Sequence, residues 1–476
     1  MSKENNSVPT PAVIDAACRV PVLLLFGSAL LWLMTASTLG VLASFNFHVP
    51  SFLADCPLFT YGHRASAAWT AMLFGFGGNA ALGITLWMLA RLCGMELKWP
   101  NVAALGAAMW NIGVTAAVVG LFMGDGTGQG GVDLPMYAVR ILLLGGGLMA
   151  ASAGLTCYTR SDSELYISTW HLVGGLVVLP WVLVTIYLLL GVDTARGVAQ
   201  YSVVTWATSS LTQVWLGMVG LASIYYFVPK ILGCPLYSRQ LAQLGFYGIL
   251  VLGGFLGVHL GAPVPAWIIR LSDLAAVLFV LPLLAVWWNI QRTVTIRSFA
   301  TSSDLTLAFV GVAWWSYLLA GVFTVLQPWL SVHIHFTLAT VAIRHLLVFG
   351  FFGMATIGAI YFIVPRLVGA DWDCQKCLRW SFRFAVVGLL LYVVPMVYGG
   401  FAQGGVMNGG EEYSNLPPPA LNGMRVAFLG ELLMLLASVM VLFNFVRLIL
   451  THCCDCCNPI EILKMARAAR QKGGVE

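Results

Sequence analysis

The chain has 476 residues, of which 59% are hydrophobic and only 9% are charged. Soluble domains carry about 25% charged residues, so the composition excludes a soluble enzyme and indicates a polytopic membrane protein. The net charge of +5 calls for no nucleic-acid partner, because most Lys and Arg belong to loops on one side of the membrane.

In chain order, residues 1–18 form a polar N-terminal segment. The apolar run behind it is too long for the core of a cleaved signal, so the first helix reads as an internal start signal. Runs long enough to span then fall near 21–46, 67–90, 102–123, 136–157, 166–190, 201–228, 240–259, 266–289, 305–326, 335–364, 383–401 and 424–450. These predict one all-α domain of twelve transmembrane helices over 19–451, since runs of this length are too long for barrel strands. With the N-terminus in the cytoplasm, only Arg64, Arg140, Arg196, Arg270, Arg344 and Arg425 miss the inner side. That bias places both termini inside, in a plasma (inner) membrane.

The longest outer segments are 47–66, 124–135 and 402–422. The second, Gly124 to Gly131, reads as a flexible connector. The third carries Glu411 and Glu412 and offers a docking surface for a soluble partner. The tail 452–476 is Cys-rich and basic, and Ile460 to Arg470 has the helical spacing of a segment lying on the inner lipid surface.

Three of the spans share a pattern. Gly78 is followed thirteen residues later by Arg91, Gly217 by Lys230 and Gly353 by Arg366, and each cation precedes a glycine by three residues. Fixed offsets mark equivalent helices in equivalent environments. The segments Leu73-Phe74-Gly75-Phe76-Gly77-Gly78-Asn79, Tyr225-Tyr226-Phe227-Val228-Pro229-Lys230 and Gly358 to Arg366 resemble the catalytic subunit I of heme–copper oxidases. The likeness is closest to the C-type (cbb-type) cytochrome c oxidases, with nitric oxide reductases as near relatives. It implies a pseudo-threefold twelve-helix bundle and other respiratory oxidase subunits as partners, with lipid around it and cytochrome c as electron donor. It also implies two hemes and a copper ion held by six histidines.

Aligned on the repeat, most of those ligand positions are occupied by other residues. On the tenth span the family's His-x-His reads Ile343-Arg344-His345, so the high-spin heme ligand is absent and His345 stands in the low-spin slot. The second-span partner of that heme aligns with Ala68, with His63 five residues away. The sixth-span copper ligand aligns with Ser209, the seventh-span pair with His259 and Leu260, and the family's crosslinked tyrosine with Gly253. His345 is therefore the candidate heme ligand, for at most one b-type heme, and His259 is a remnant of the copper site. His333 and His335, before the tenth span, read as surface residues or a two-ligand metal pair, and His171 reads as packed.

Two cysteine groups lie on the inner side, Cys374 with Cys377 and Cys453, Cys454, Cys456 and Cys457. Four thiolates suffice for zinc or an iron–sulfur cluster; free thiols are the other reading, and a reducing compartment argues against disulfides. Arg270 and Asp273, three apart on one face, are spaced to pair. Glu431 stands near mid-span by count and is read either as a proton relay or as a bond to a neighbouring helix.

The sequence thus predicts a cytochrome c oxidase subunit I-like protein of a respiratory complex with a degenerate active site and no catalytic residue, acting as a structural, assembly or regulatory partner. The alternatives are an active terminal oxidase or nitric oxide reductase subunit, and a heme- or metal-handling membrane protein.

Overall fold

The computed structural model describes residues 9–128, 130–160, 164–192, 194–295, 304–410, 412 and 417–452. The α-helices in chain order are α1 (Pro11–Ser44), α2 (Tyr61–Thr70), α3 (Asn79–Cys93), α4 (Pro100–Met123), α5 (Met136–Tyr158), α6 (Ile167–Ile186), α7 (Ala199–Ser209), α8 (Leu216–Leu232), α9 (Arg239–Gly253), α10 (Ala266–Leu278), α11 (Val280–Thr295), α12 (Leu305–Ile334), α13 (Leu338–His345), α14 (Met354–Val368), α15 (Gln375–Asn408) and α16 (Pro417–His452). No strand occurs among the described residues.

Among the described residues, eleven helical stretches are long and apolar enough to cross a membrane. The sequence predicts twelve, and the difference lies in the seventh. There α9 has only 15 residues, and the remainder of the predicted run, to 259, is turns. The cause is local: Gly253 and Gly254 adjoin, and Gly257 takes a φ of 95°, a left-handed conformation open to glycine. The break between α10 and α11 also has a plain cause. Pro282 lacks an N–H and its ring crowds the preceding turn.

The three repeated segments become three continuous rods, Tyr61–Cys93, Ala199–Leu232 and Leu338–Val368. Each contains a π-helical stretch, Ala71–Gly78, Ser210–Trp215 and Leu346–Gly353. Each ends at its cation on a left-handed glycine, Gly94, Gly233 or Gly369, with φ of 60°, 62° and 77°. The glycine amide bonds back into the last turn, the usual helix stop. So the sequence repeat is a structural repeat, down to the cap. In their most apolar stretches these rods are 100%, 89% and 94% buried, against 44% or less for the other spanning helices. They form the inner ring, and the remaining helices present one face to lipid.

The cationic ends of the rods define one end of the bundle. At that end Arg91 pairs with Asp15 of α1 (3.4 Å), and His452, closing α16, lies 3.8 Å from Asp373. The first and last spanning helices therefore reach the same end. At the opposite end, the fully buried Arg64 ties α2 to α1 by donating to the Leu42 carbonyl and to Asn46 Oδ1. Arg270 and Asp273 pair as spaced, at 3.9 Å.

Candidate functional site

The rods carry the ligand slots to one level. Ala68 lies at the end of α2, Ser209 closes α7, and Ile343 and His345 close α13; each slot stands just before a π-helical stretch. Such stretches turn side chains out of the regular register and recur at functional sites. Here they deliver aromatic rings to the bundle centre. Phe76 meets Phe352 at 6.3 Å between centroids, Trp215 meets Trp110 at 6.4 Å, and Phe351 meets Tyr317 at 4.9 Å.

The end of α9 packs closely where the sequence reading places the crosslinked tyrosine and the sixth-span copper ligand. A Cβ on Gly253 would stand 2.6 Å from Val214 Cγ2, and one on Gly257 would stand 2.7 Å from Ser209 Cβ and 2.8 Å from the Thr205 carbonyl oxygen. The end of α9 thus rests directly on α7 and the π-helical stretch after it. The Ser209 hydroxyl is buried with no hydrogen-bond partner.

His259 sits in the turns after α9 and joins a different group of residues. Its Nδ1 is 2.7 Å from Gln327 Nε2, and its ring lies 4.7 Å from that of His335. The Tyr201 hydroxyl is 3.4 Å from His335 Nε2. Burial pushes the His259 imidazole down to about 3, helped by His335 and the Arg344 charge. Burial and then Arg344 push His335 down. The Arg344 charge disfavours a proton on either ring. His335, read from sequence as a surface residue, is half-buried by this packing. His171 is packed as expected, its Nδ1 at 3.0 Å from the Ile167 carbonyl and its ring against Tyr225 and Phe246.

His345 faces a cavity of about 640 Å³. Ala68 and His63 line the same cavity, as do Arg344, Tyr392 and Glu431. The His345 ring lies against Tyr392 (4.4 Å) and Phe349 (5.9 Å), and no hydrogen bond holds it among the described residues. His63 is tethered through Nδ1 to the Leu58 carbonyl (3.2 Å). Glu431 accepts a hydrogen bond from Ser44, the last residue of α1. It does face the bundle.

Sequence reading missed the cover of this cavity. The Gly-rich loop is a packed lid rather than a loose connector. Asp133 Oδ1 takes the Thr127 amide (2.6 Å) and hydroxyl (2.9 Å), and its Oδ2 takes the Ser66 hydroxyl (2.5 Å). The Trp69 indole donates to the Gly131 carbonyl. A lone aspartate ahead of Pro135 gives no sequence signal for this role. In Asp133→Ala the amides of 124–132 are expected to exchange with deuterium at least tenfold faster, equivalent to about 1.4 kcal/mol of local opening. Unchanged exchange by mass spectrometry would show that the lid is held by something else.

Among the described residues no group of three His, Cys, Asp or Glu side chains is placed to hold a metal ion. Cys374 and Cys377, read from sequence as metal-ligand candidates or free thiols, are instead joined to each other as a disulfide. The first turn of α15 sets their Cα atoms 5.3 Å apart, within bridging range, and bridged sulfurs are no thiolate ligands. Cys453, Cys454, Cys456 and Cys457, with the tail stretch from Ile460, lie outside the described residues.

Residues 20–416 match the family model of cytochrome c and quinol oxidase polypeptide I. Among curated proteins, the chain is similar to a cytochrome c oxidase subunit 1 homolog of Agrobacterium tumefaciens, 24% identical over 457 residues, covering 88% of this chain and 82% of that one. It is similar also to the Cbb3-type cytochrome c oxidase subunit CcoN1 of Stutzerimonas stutzeri, 24% identical over 390 residues, covering 78% and 81%. Its fold matches a chain of a heme-copper terminal oxidase dimer with a TM-score of 0.71 at 14% identity, covering 91% and 84%.

Proposed function

The chain belongs to the cytochrome c and quinol oxidase polypeptide I family, and we propose that it is a member without a dioxygen-reducing centre. It serves as a structural, assembly or regulatory subunit of a respiratory oxidase complex in the plasma membrane, with both termini cytoplasmic and its twelve helices in a pseudo-threefold bundle. Other oxidase subunits are its partners.

The observation that carries this reading is the packing at the end of α9. The high-spin heme and copper do not fit the residues present. Ile343, Ser209 and Leu260 offer no imidazole, and a Cβ at Gly253 or Gly257 would collide with Val214 or Ser209. Copper needs several converging imidazoles. His259 is committed to Gln327 and to the ring of His335.

The low-spin position differs. The cavity is open and His345 presents an imidazole to it without a competing bond among the described residues. One b-type heme fits that arrangement, with His345 as its protein ligand and Ala68 in place of the second. Bound there, it would supply a one-electron redox centre. Ala68, Met72 and Met434 would pack its faces, and Tyr392 would orient the His345 ring.

Heme and copper analysis of the purified protein tests the proposal. The expected result is no copper, at most one heme per chain, loss of that heme in His345→Ala, and no dioxygen or nitric oxide consumption with reduced cytochrome c. Two hemes and one copper per chain, or turnover, would overturn it in favour of an active terminal oxidase or nitric oxide reductase.

A further inference from the structure

Arg344 is a charged side chain inside an apolar spanning helix, and no acidic side chain among the described residues pairs with it. It forms no ion pair and no hydrogen bond among the described residues, although it lines the cavity. It is half-buried and lines that cavity. The titratable groups that feel its charge are the hydroxyls of Tyr201 and Tyr392 and the imidazoles of His259 and His335. None of these is an anion at neutral pH. A guanidinium withdrawn from water without a counter-charge is costly, and charges in spanning helices are seldom idle.

Two carboxylates share the cavity wall, and neither pairs with Arg344. Glu431 takes the Ser44 hydroxyl. Asp133 takes Ser66 and Thr127. The remaining wall includes Ala36, Ala68, Met72, Met396, Met424 and Met434, which can pack hydrocarbon or a flat ring but cannot neutralise a cation. The volume of about 640 Å³ falls within the range of small-molecule sites, which are mostly apolar with a few fixed polar groups.

We propose that this cavity binds an apolar molecule bearing a carboxylate, with Arg344 as its counter-charge. The guanidinium meets the carboxylate as a charge-assisted, two-pronged donor, and the methionine and alanine wall takes the apolar body. Fatty acids and propionate-bearing tetrapyrroles share this chemistry. The inference uses the cavity but not the loss of the dioxygen centre, so its failure would leave the preceding reading standing.

The test is a binding titration of the purified full-length protein in detergent with two matched pairs of probes. One pair is the fluorescent fatty acid cis-parinaric acid and its methyl ester; the other is hemin and hemin dimethyl ester. For at least one pair the free acid is expected to bind at least tenfold more tightly than the ester. Arg344→Gln is expected to bring that ratio to about one with ester affinity unchanged, and Arg344→Lys to keep most of it. Preference confined to the first pair identifies a lipid-derived ligand, and preference confined to the second a tetrapyrrole. A ratio near one for both pairs in the unmodified protein would overturn the proposal. So would an Arg344→Gln protein that keeps the preference. If Arg344→Gln does not fold, the unmodified protein and Arg344→Lys still decide it.

Discussion

Gly253→Tyr, which writes the family's tyrosine back into its aligned position, is expected to abolish accumulation of folded protein. The family resemblance implies a tyrosine at that position. Here even a Cβ would come 2.6 Å from Val214 Cγ2, and valine, branched at Cβ, has few rotamers to escape into. Extra methylenes in a packed core cost about 1–3 kcal/mol. A phenol ring exceeds that and rivals the total of about 5–15 kcal/mol that holds a domain folded. Gly254→Ala is the control. Its nearest neighbours are carbonyls of the preceding turn, 3.6 Å away, so thermal stability should hold. Fluorescence-detected size exclusion reads both variants. Normal yield and melting temperature for Gly253→Tyr would mean that the copper position is open, and the case for a lost dioxygen centre would weaken with it.

Gly404→Ala is expected to destabilise the protein by about 2–4 kcal/mol, more than an ordinary surface change. Gly400 and Gly404 stand one turn apart on α15, where it crosses the link between α12 and α13. A Cβ on Gly404 would collide with the His333 carbonyl oxygen, and one on Gly400 would meet Ala339, its Cβ at 2.6 Å. The obstacle at Gly404 is backbone, which cannot swing aside as a side-chain tip can. Relief must come from moving the 333–336 segment, where Phe336 already holds a φ of 63°. His335 in that segment packs against His259 and Tyr201, so its reactivity toward diethylpyrocarbonate should rise as the melting temperature falls. Gly405→Ala, with nothing within 4 Å, should leave both unchanged. Equal behaviour of the two variants would refute the close crossing.

The repeated Gly-to-cation spacing was legible because its cause is local. A helix that must stop at an interface does so on a cation and a left-handed glycine, and Gly94, Gly233 and Gly369 all obey. The Arg270–Asp273 pair was legible for the same reason, since helical spacing alone brings the two together. The lid over 124–133 was not. It depends on Asp133 meeting Ser66, whose position is set by how α2 packs. Arg344 gave a partial signal as a charge in an apolar run. Only its neighbours reveal that no acid among the described residues pairs with it.

What the sequence determined by itself was the all-helical membrane class, the approximate positions of the long apolar helices and the family likeness. Each follows from hydropathy, charge and spacing, which act over a turn or a span. The tertiary structure alone decided that the seventh helix stops at Gly253, that the end of α9 packs against Val214 and Ser209, that a cavity opens beside His345, and that Glu431 meets Ser44. Those features depend on which side chains from distant helices meet, and volume left between helices is a property of the packed whole rather than of any segment.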